Sequence, residues 1–131
     1  MIAAVETGEG VYTVEVESER VVDFVPGAGL PAERGPRVEL PLVLATAASG
    51  STVVALVNRR PPLAVSHDAG RTWHEAGGGL PAGRAIAIAD DDPDRMLYAA
   101  AERVYVSTDG GRFWRVLMPE FAEIQRVAWV D

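Results

Sequence analysis

"SHDAGRTW" runs from Ser66 to Trp73, and "STDGGRFW" runs from Ser107 to Trp114. The second phrase starts 41 residues after the first, at 107 against 66. Serine, aspartate, glycine and tryptophan fall at the same places in both, and each phrase follows a short apolar run, "LAVS" and "VYVS". The chemistry is that of a turn between two strands. An aspartate at a hairpin accepts hydrogen bonds from backbone N–H groups just ahead of it. Glycine supplies a positive φ that other residues resist. The tryptophan then opens the next strand and brings a large apolar surface to pack between sheets.

Around these phrases the apolar residues alternate or come in short runs, as in "VYTVEV" at Val11–Val16, "TVVALV" at Thr52–Val57 and "RAIAIA" at Arg84–Ala89. Period two, β-branched residues and turn formers between the runs predict strands, and helix signals are nearly absent. The strands group into repeats. One copy reads Leu42–Ala47, Thr52–Asn58, Leu63–Ser66 and Thr72–Ala76; the next reads Arg84–Ala89, Arg95–Ala101, Arg103–Ser107 and Phe113–Leu117. "MIAAVETGEGVYTVEV" at Met1 follows "MLYAAAERVYVSTDG" at Met96, but it enters the unit at its second strand and has lost the Ser-x-Asp phrase. The missing first strand is at the other end, where "QRVAWVD" at Gln125–Asp131 resembles "GRAIAIAD" at Gly83–Asp90. The repeat is cut open at one hairpin.

A four-strand unit of about 40 residues has the size of a propeller blade. The phrase S-x-D-x-G-x-T-W resembles the Asp-box of the bacterial-neuraminidase-repeat family. The first copy matches at Ser66, Asp68, Gly70, Thr72 and Trp73; the second matches at Ser107, Asp109, Gly111 and Trp114, with Phe113 where threonine is usual. The resemblance implies an all-β propeller of four-stranded antiparallel blades, in a single domain spanning 1–131. Blade one is 1–30 completed by 125–131, blade two is 37–77 and blade three is 83–118. The broad group includes sialidases, xyloglucan-degrading glycosidases, sortilin-like receptors and a photosystem II assembly factor, so the fold alone does not choose a function. In such families the boxes lie away from the binding face, which makes Asp68 and Asp109 turn residues rather than catalytic carboxylates or metal ligands.

Three blades are too few for a ring of the usual four or more, about four to eight in all. Closure as a six-bladed homodimer is therefore expected, with Gln125–Asp131 of one chain lying beside Met1–Thr7 of the other. A trimer or an open monomer is the lesser alternative.

Composition narrows the function. A formal charge of −7, from 19 acidic against 12 basic side chains, argues against nucleic acid or an anionic membrane as partner. The arginines are scattered. There is no cysteine, hence no disulfide framework or thiolate metal site. "MIAAVETGEG" has no basic region or long apolar run and does not read as a secretory signal, so the expected compartment is the cytoplasm. No cofactor is implied.

The candidate binding face is built by Thr7–Gly10, Asn58–Pro62 and Ala101–Arg103, with Val25–Pro41, Gly77–Arg84 and Met118–Arg126. These loops carry Arg34, Arg37, Arg59, Arg60, Arg84, Arg103 and Arg126, with Glu33, Glu102, Glu120 and Glu123. Arg84 and Arg126 match each other at the start of innermost strands, which places them at a channel mouth as an anion or carboxylate site. The resemblance to sialidases, which hold a substrate carboxylate on arginines, gives an enzymatic alternative: a minimal glycoside-binding or glycoside-cleaving protein. The first expectation is a non-catalytic module that binds a protein or a small anionic ligand. "DDDPD" at Asp90–Asp94 could hold Ca²⁺ but reads more simply as a turn. His67 and His74 have no partner spaced for zinc and read as turn residues.

Overall fold

The computed structural model describes residues 1–32 and 34–131; Glu33, a loop-face candidate, lies outside the described residues. The described chain is all-β, with twelve strands. They are β1 (Ile2–Thr7), β2 (Gly10–Glu15), β3 (Arg20–Pro26), β4 (Val43–Ser49), β5 (Thr52–Val57), β6 (Leu63–Ser66), β7 (His74–Ala76), β8 (Ala85–Ala89), β9 (Asp92–Ala99), β10 (Val104–Ser107), β11 (Arg115–Val116) and β12 (Arg126–Trp129). Among the described residues no helix is long and apolar enough to cross a membrane.

The strands form three four-stranded sheets in the orders β12-β1-β2-β3, β4-β5-β6-β7 and β8-β9-β10-β11. Every pairing is antiparallel. The alternating runs become these strands, and the phrase turns become the β6–β7 and β10–β11 connections. The outer strands are shorter than expected: β7 begins at His74 rather than Thr72, and β11 holds only Arg115 and Val116. The aspartates of the two phrases hold the residues before these strands in the turn instead.

The strand that the repeat pattern assigns to a second molecule lies in its own chain. β12 pairs with β1 in the register Ala3↔Trp129, Ala4↔Ala128, Val5↔Val127 and Glu6↔Arg126. Within a single chain, then, the sheet that the repeat pattern divides is complete, with β12 supplying the strand missing before β1. The physical reason is the path of the connector after β11. Phe121 N–H donates to the Glu102 carbonyl, Ile124 N–H to Ala101 and Gln125 N–H to Glu6. These bonds carry the chain across the end of the β8–β11 sheet and deliver it to the free edge of β1.

Two apolar layers hold the sheets face to face. Val5, Val14 and Val127 of the first sheet, with Val16 just past β2, meet Leu97, Val104 and Val106 of the β8–β11 sheet and Ile124 of the connector. Leu56, Leu63 and Val65 of the second meet Ile86, Ile88, Met96 and Tyr98. The β8–β11 sheet is thus the middle one. On the far face of the second sheet, Ala55, Val57 and Ala64 are covered by Val38, Leu40 and Trp73. The segment between β3 and β4 covers that face from within the chain. β3, by contrast, is an exposed edge along its whole length.

Ile124 is fully buried between the first and middle sheets, at the point where the chain turns into β12. Ile124→Ala is expected to cost about 2–5 kcal/mol, the usual range for such a truncation. Urea unfolding should show the midpoint falling with the slope unchanged, and a loss well under 1 kcal/mol would count against this closure.

Candidate functional site

The innermost strands of the three sheets are β4, β8 and β12, and β8 lies against both of the others. Their sequences, "VLATAAS", "AIAIA" and "RVAW", are rich in alanine. Small side chains here leave space instead of filling it. The result is a channel of about 570 Å³, walled by Ala45–Ala48, Ala85–Ile88 and Val127–Trp129. The fourth side is formed by the described residues of the β3–β4 segment, Leu30–Ala32 and Arg34–Pro36. Leu30 N–H donates to Glu6 Oε1 at 2.5 Å, and the Thr46 hydroxyl donates to the Pro36 carbonyl at 2.7 Å. Gly35 lies so close to the Thr46 backbone that any side chain at 35 would collide with its carbonyl oxygen.

The two ends of the channel differ in charge. β8 is preceded by Arg84 and followed by Asp90, while β12 begins with Arg126 and is followed, past Val130, by Asp131. The far ends of the strands cluster. The Ser49 hydroxyl donates to the Asp90 carbonyl, and Arg95 Nη2 donates to Asp131 at 2.9 Å. Asp90, Asp91 and Asp131 therefore stand at one mouth and Arg84 and Arg126 at the other, with Arg34 also in the lining. A strand of this length separates the mouths by roughly 15–20 Å.

At the basic mouth, Arg126 Nη1 is 3.0 Å from Glu6 Oε2, and Glu6 is 4% exposed. No ion pair involves Arg84 or Arg34 among the described residues. At the acidic mouth, the Arg95 guanidinium stacks over Trp129, 4.4 Å from its ring centre. The Trp129 indole N–H is buried without a hydrogen-bond partner among the described residues.

The structure thus brings Arg84 and Arg126 into one cavity together with Arg34, and Arg59, Arg60 and Arg103 elsewhere. Arg103 donates through Nε and Nη2 to the Leu117 carbonyl and sits 3.5 Å from Glu120, so it braces the chain after β11. Arg59 and Arg60 lie in the exposed β5–β6 loop and do not line the channel. Two features were not among the sequence candidates, and only one of them leaves a signal. The β3–β4 segment carries no strand pattern, so its role as a wall is invisible. Glu6 was detectable as the one acid in the otherwise apolar run "IAAVET".

The paired phrases form two matching turns. In the first, Asp68 Oδ1 accepts from Ser66 Oγ at 2.7 Å and from the N–H groups of Arg71 and Thr72. Its Oδ2 accepts from the Thr72 hydroxyl at 2.6 Å. In the second, Asp109 Oδ1 accepts from Ser107, Arg112 N–H and Phe113 N–H. Gly70 and Gly111 have φ of 89° and 90°, where a side chain would be strained. Each indole N–H donates back to its glycine carbonyl, Trp73 to Gly70 and Trp114 to Gly111. The rings serve different layers: Trp114 meets Tyr98 edge-on between the second and middle sheets, while Trp73 packs on the far face of the second.

The acidic run makes a tight turn at Asp90–Asp91, with Asp92 already paired to Ala89. Asp92 caps Asp94 N–H, and the Asp94 carbonyl accepts from Gly110 N–H in the second phrase turn. Among the described residues no group of three or more acids or histidines is arranged to hold a metal ion. His67 and His74 stack across their hairpin, 5.3 Å between ring centres.

The chain matches no family model, no curated protein and no solved structure.

Hydrogen bonds to the charged form hold the Asp68 carboxyl far below the ordinary carboxylate value, first those from Thr72 and then that from Ser66. A depressed folded value gives stability that is complete above the unfolded value, near 3.9, and is lost as pH falls through the folded one. Asp68→Asn should therefore be less stable than the parent at pH 7, with the gap closing progressively below about pH 4. Urea midpoints measured from pH 7 to pH 2 test this, and a gap independent of pH would refute it.

Proposed function

We propose that this chain is a non-catalytic binding module, propeller-like in design, whose inner channel holds a small elongated ligand by an anionic group at Arg84 and Arg126. One observation carries the reading: a cavity of about 570 Å³, part apolar and part polar, lined by Arg34 and by the matched pair Arg84 and Arg126 at the start of two of its inner strands. That volume falls within the usual range for ligand sites, about 300–1,000 Å³. Guanidinium groups suit carboxylates because their forked donors match both oxygens. Arg84 is the freer of the matched pair, since Arg126 already meets Glu6. The unpaired indole N–H of Trp129 supports the same reading, because a buried donor without an acceptor is uncommon in a finished structure.

A glycoside-cleaving role needs two placed carboxylates about the scissile bond. Among the described residues of the channel lining, the acids Asp90, Asp91 and Asp131 stand at the mouth opposite Arg84 and Arg126. Glu6 is the acid beside Arg126, and its Oε1 is engaged by Leu30 N–H. The binding role is therefore the better supported of the two.

8-Anilinonaphthalene-1-sulfonate, an apolar body with one anionic group, is a suitable probe. It should fluoresce with the folded chain and lose at least tenfold in affinity in Arg84→Ser. Ala87→Trp, which fills the channel from β8, should abolish binding while leaving the circular dichroism spectrum intact. Undiminished binding in both variants would refute the channel as the site. Turnover of fluorogenic sialosides or glucosides that Arg84→Ser abolishes would favour the enzyme.

A further inference from the structure

The two phrase turns differ at one atom. In the first, the Thr72 hydroxyl occupies Asp68 Oδ2. The second has Phe113 at that position, and all three side-chain hydrogen bonds to Asp109 among the described residues go to Oδ1. Asp109 is half-buried, and its Oδ2 is not among the fully buried unpaired atoms of the described residues, so it keeps some contact with solvent. The substitution has a second effect. Phenylalanine cannot return a hydrogen bond to the turn, and its ring stands 79% exposed. Nothing in the fold packs against that exposed surface, so the fold itself gains little from an aromatic residue here.

These groups frame one concavity of about 210 Å³, lined by Val106, Thr108, Asp109, Phe113, Trp114 and Arg115. It combines a carboxylate oxygen with two aromatic side chains. Arg115, the cation in its wall, has its charge answered by Glu19, 3.0 Å away. Further along the chain, Val116 at the end of β11 and Met118 just past it are exposed apolar side chains. We infer that the second phrase turn is a recognition site for the guanidinium of an arginine side chain on a partner polypeptide. The planar cation stacks on Phe113 and donates to Asp109 Oδ2. The backbone flanking that arginine lies over Val116 and Met118. The chain's charge of −7 attracts such a partner from a distance. This site is separate from the channel and does not depend on what the channel holds.

N-acetyl-arginine amide is the probe, followed by nitrogen–proton correlation spectra. Titration should shift the Trp114 indole N–H and the Gly111, Arg112 and Phe113 amides, saturating with a dissociation constant on the order of millimolar. The neutral isostere N-acetyl-citrulline amide should leave those signals in place. Phe113→Thr is the decisive variant, because it restores the hydroxyl present in the first turn. Its melting temperature should rise while its affinity for the arginine probe falls at least tenfold. Three results would overturn the proposal: equal shifts with citrulline, full binding by Phe113→Thr, or a melting temperature that does not rise. Binding that requires the free amino and carboxyl groups of arginine would overturn the polypeptide as its source.

Discussion

The ladder between β1 and β12 is the constraint on which the architecture rests. β1 is otherwise an edge, and its buried residues Ala3 and Val5 belong to the layer that joins the first and middle sheets. Without β12 its backbone groups would lose their partners beside an apolar core, and unpaired buried amides are costly. Pairing ends of the chain that are far apart in sequence costs loop entropy, but that cost grows only slowly with length. The connector shares the work, because Phe121 and Ile124 contribute to the same apolar layer while their N–H groups anchor it. One segment thus completes a sheet, seals a core and delivers Arg126 and Trp129 to the channel.

The channel follows from this closure. β12 supplies its third wall, and β8 and β12 bring arginines and aspartates to opposite mouths because the inner strands start from the same end. The polarity is therefore a consequence of the repeat: a basic residue before an inner strand and an acidic residue after it, used in β8 and again in β12. The openness has a sequence cause as well. Alanines at 45, 47, 48, 85, 87 and 128 keep the walls thin where leucine would close the space.

Much of the fold could be read from the chain. Alternation and the doubled phrase place the strands, and the match of Met1 to Met96 and of Gln125 to Gly83 identifies the divided sheet. Whether that sheet closes within one chain or between two could not be read, because register and strand identity are the same in both. The difference lies in the path of residues 117–125, which have no periodic pattern and are directed by backbone hydrogen bonds. The same holds for the wall at Leu30–Ala32 and Arg34–Pro36. Of the arginine candidates, Arg84 and Arg126 were separable by their alignment at strand starts. Arg103 was not separable from them, because its binding to the Leu117 carbonyl depends on a tertiary approach.

The two phrase turns show how repetition makes a departure readable. Asp68 and Asp109 organise their loops through the same Oδ1 contacts, so those contacts belong to the fold. The Oδ2 contact is present in one and missing in the other, and it is the part the fold can do without. Once a loop is held by three bonds, the fourth partner is free to change, and a residue such as Phe113 can be kept for what it meets outside the molecule. Trp73 and Trp114 obey the same logic from the inside. Each returns its N–H to the glycine of its own turn, and the ring faces are then given to different layers. Where copies agree they describe the scaffold, and where they differ at the aspartate's second oxygen the scaffold leaves a side chain free to change.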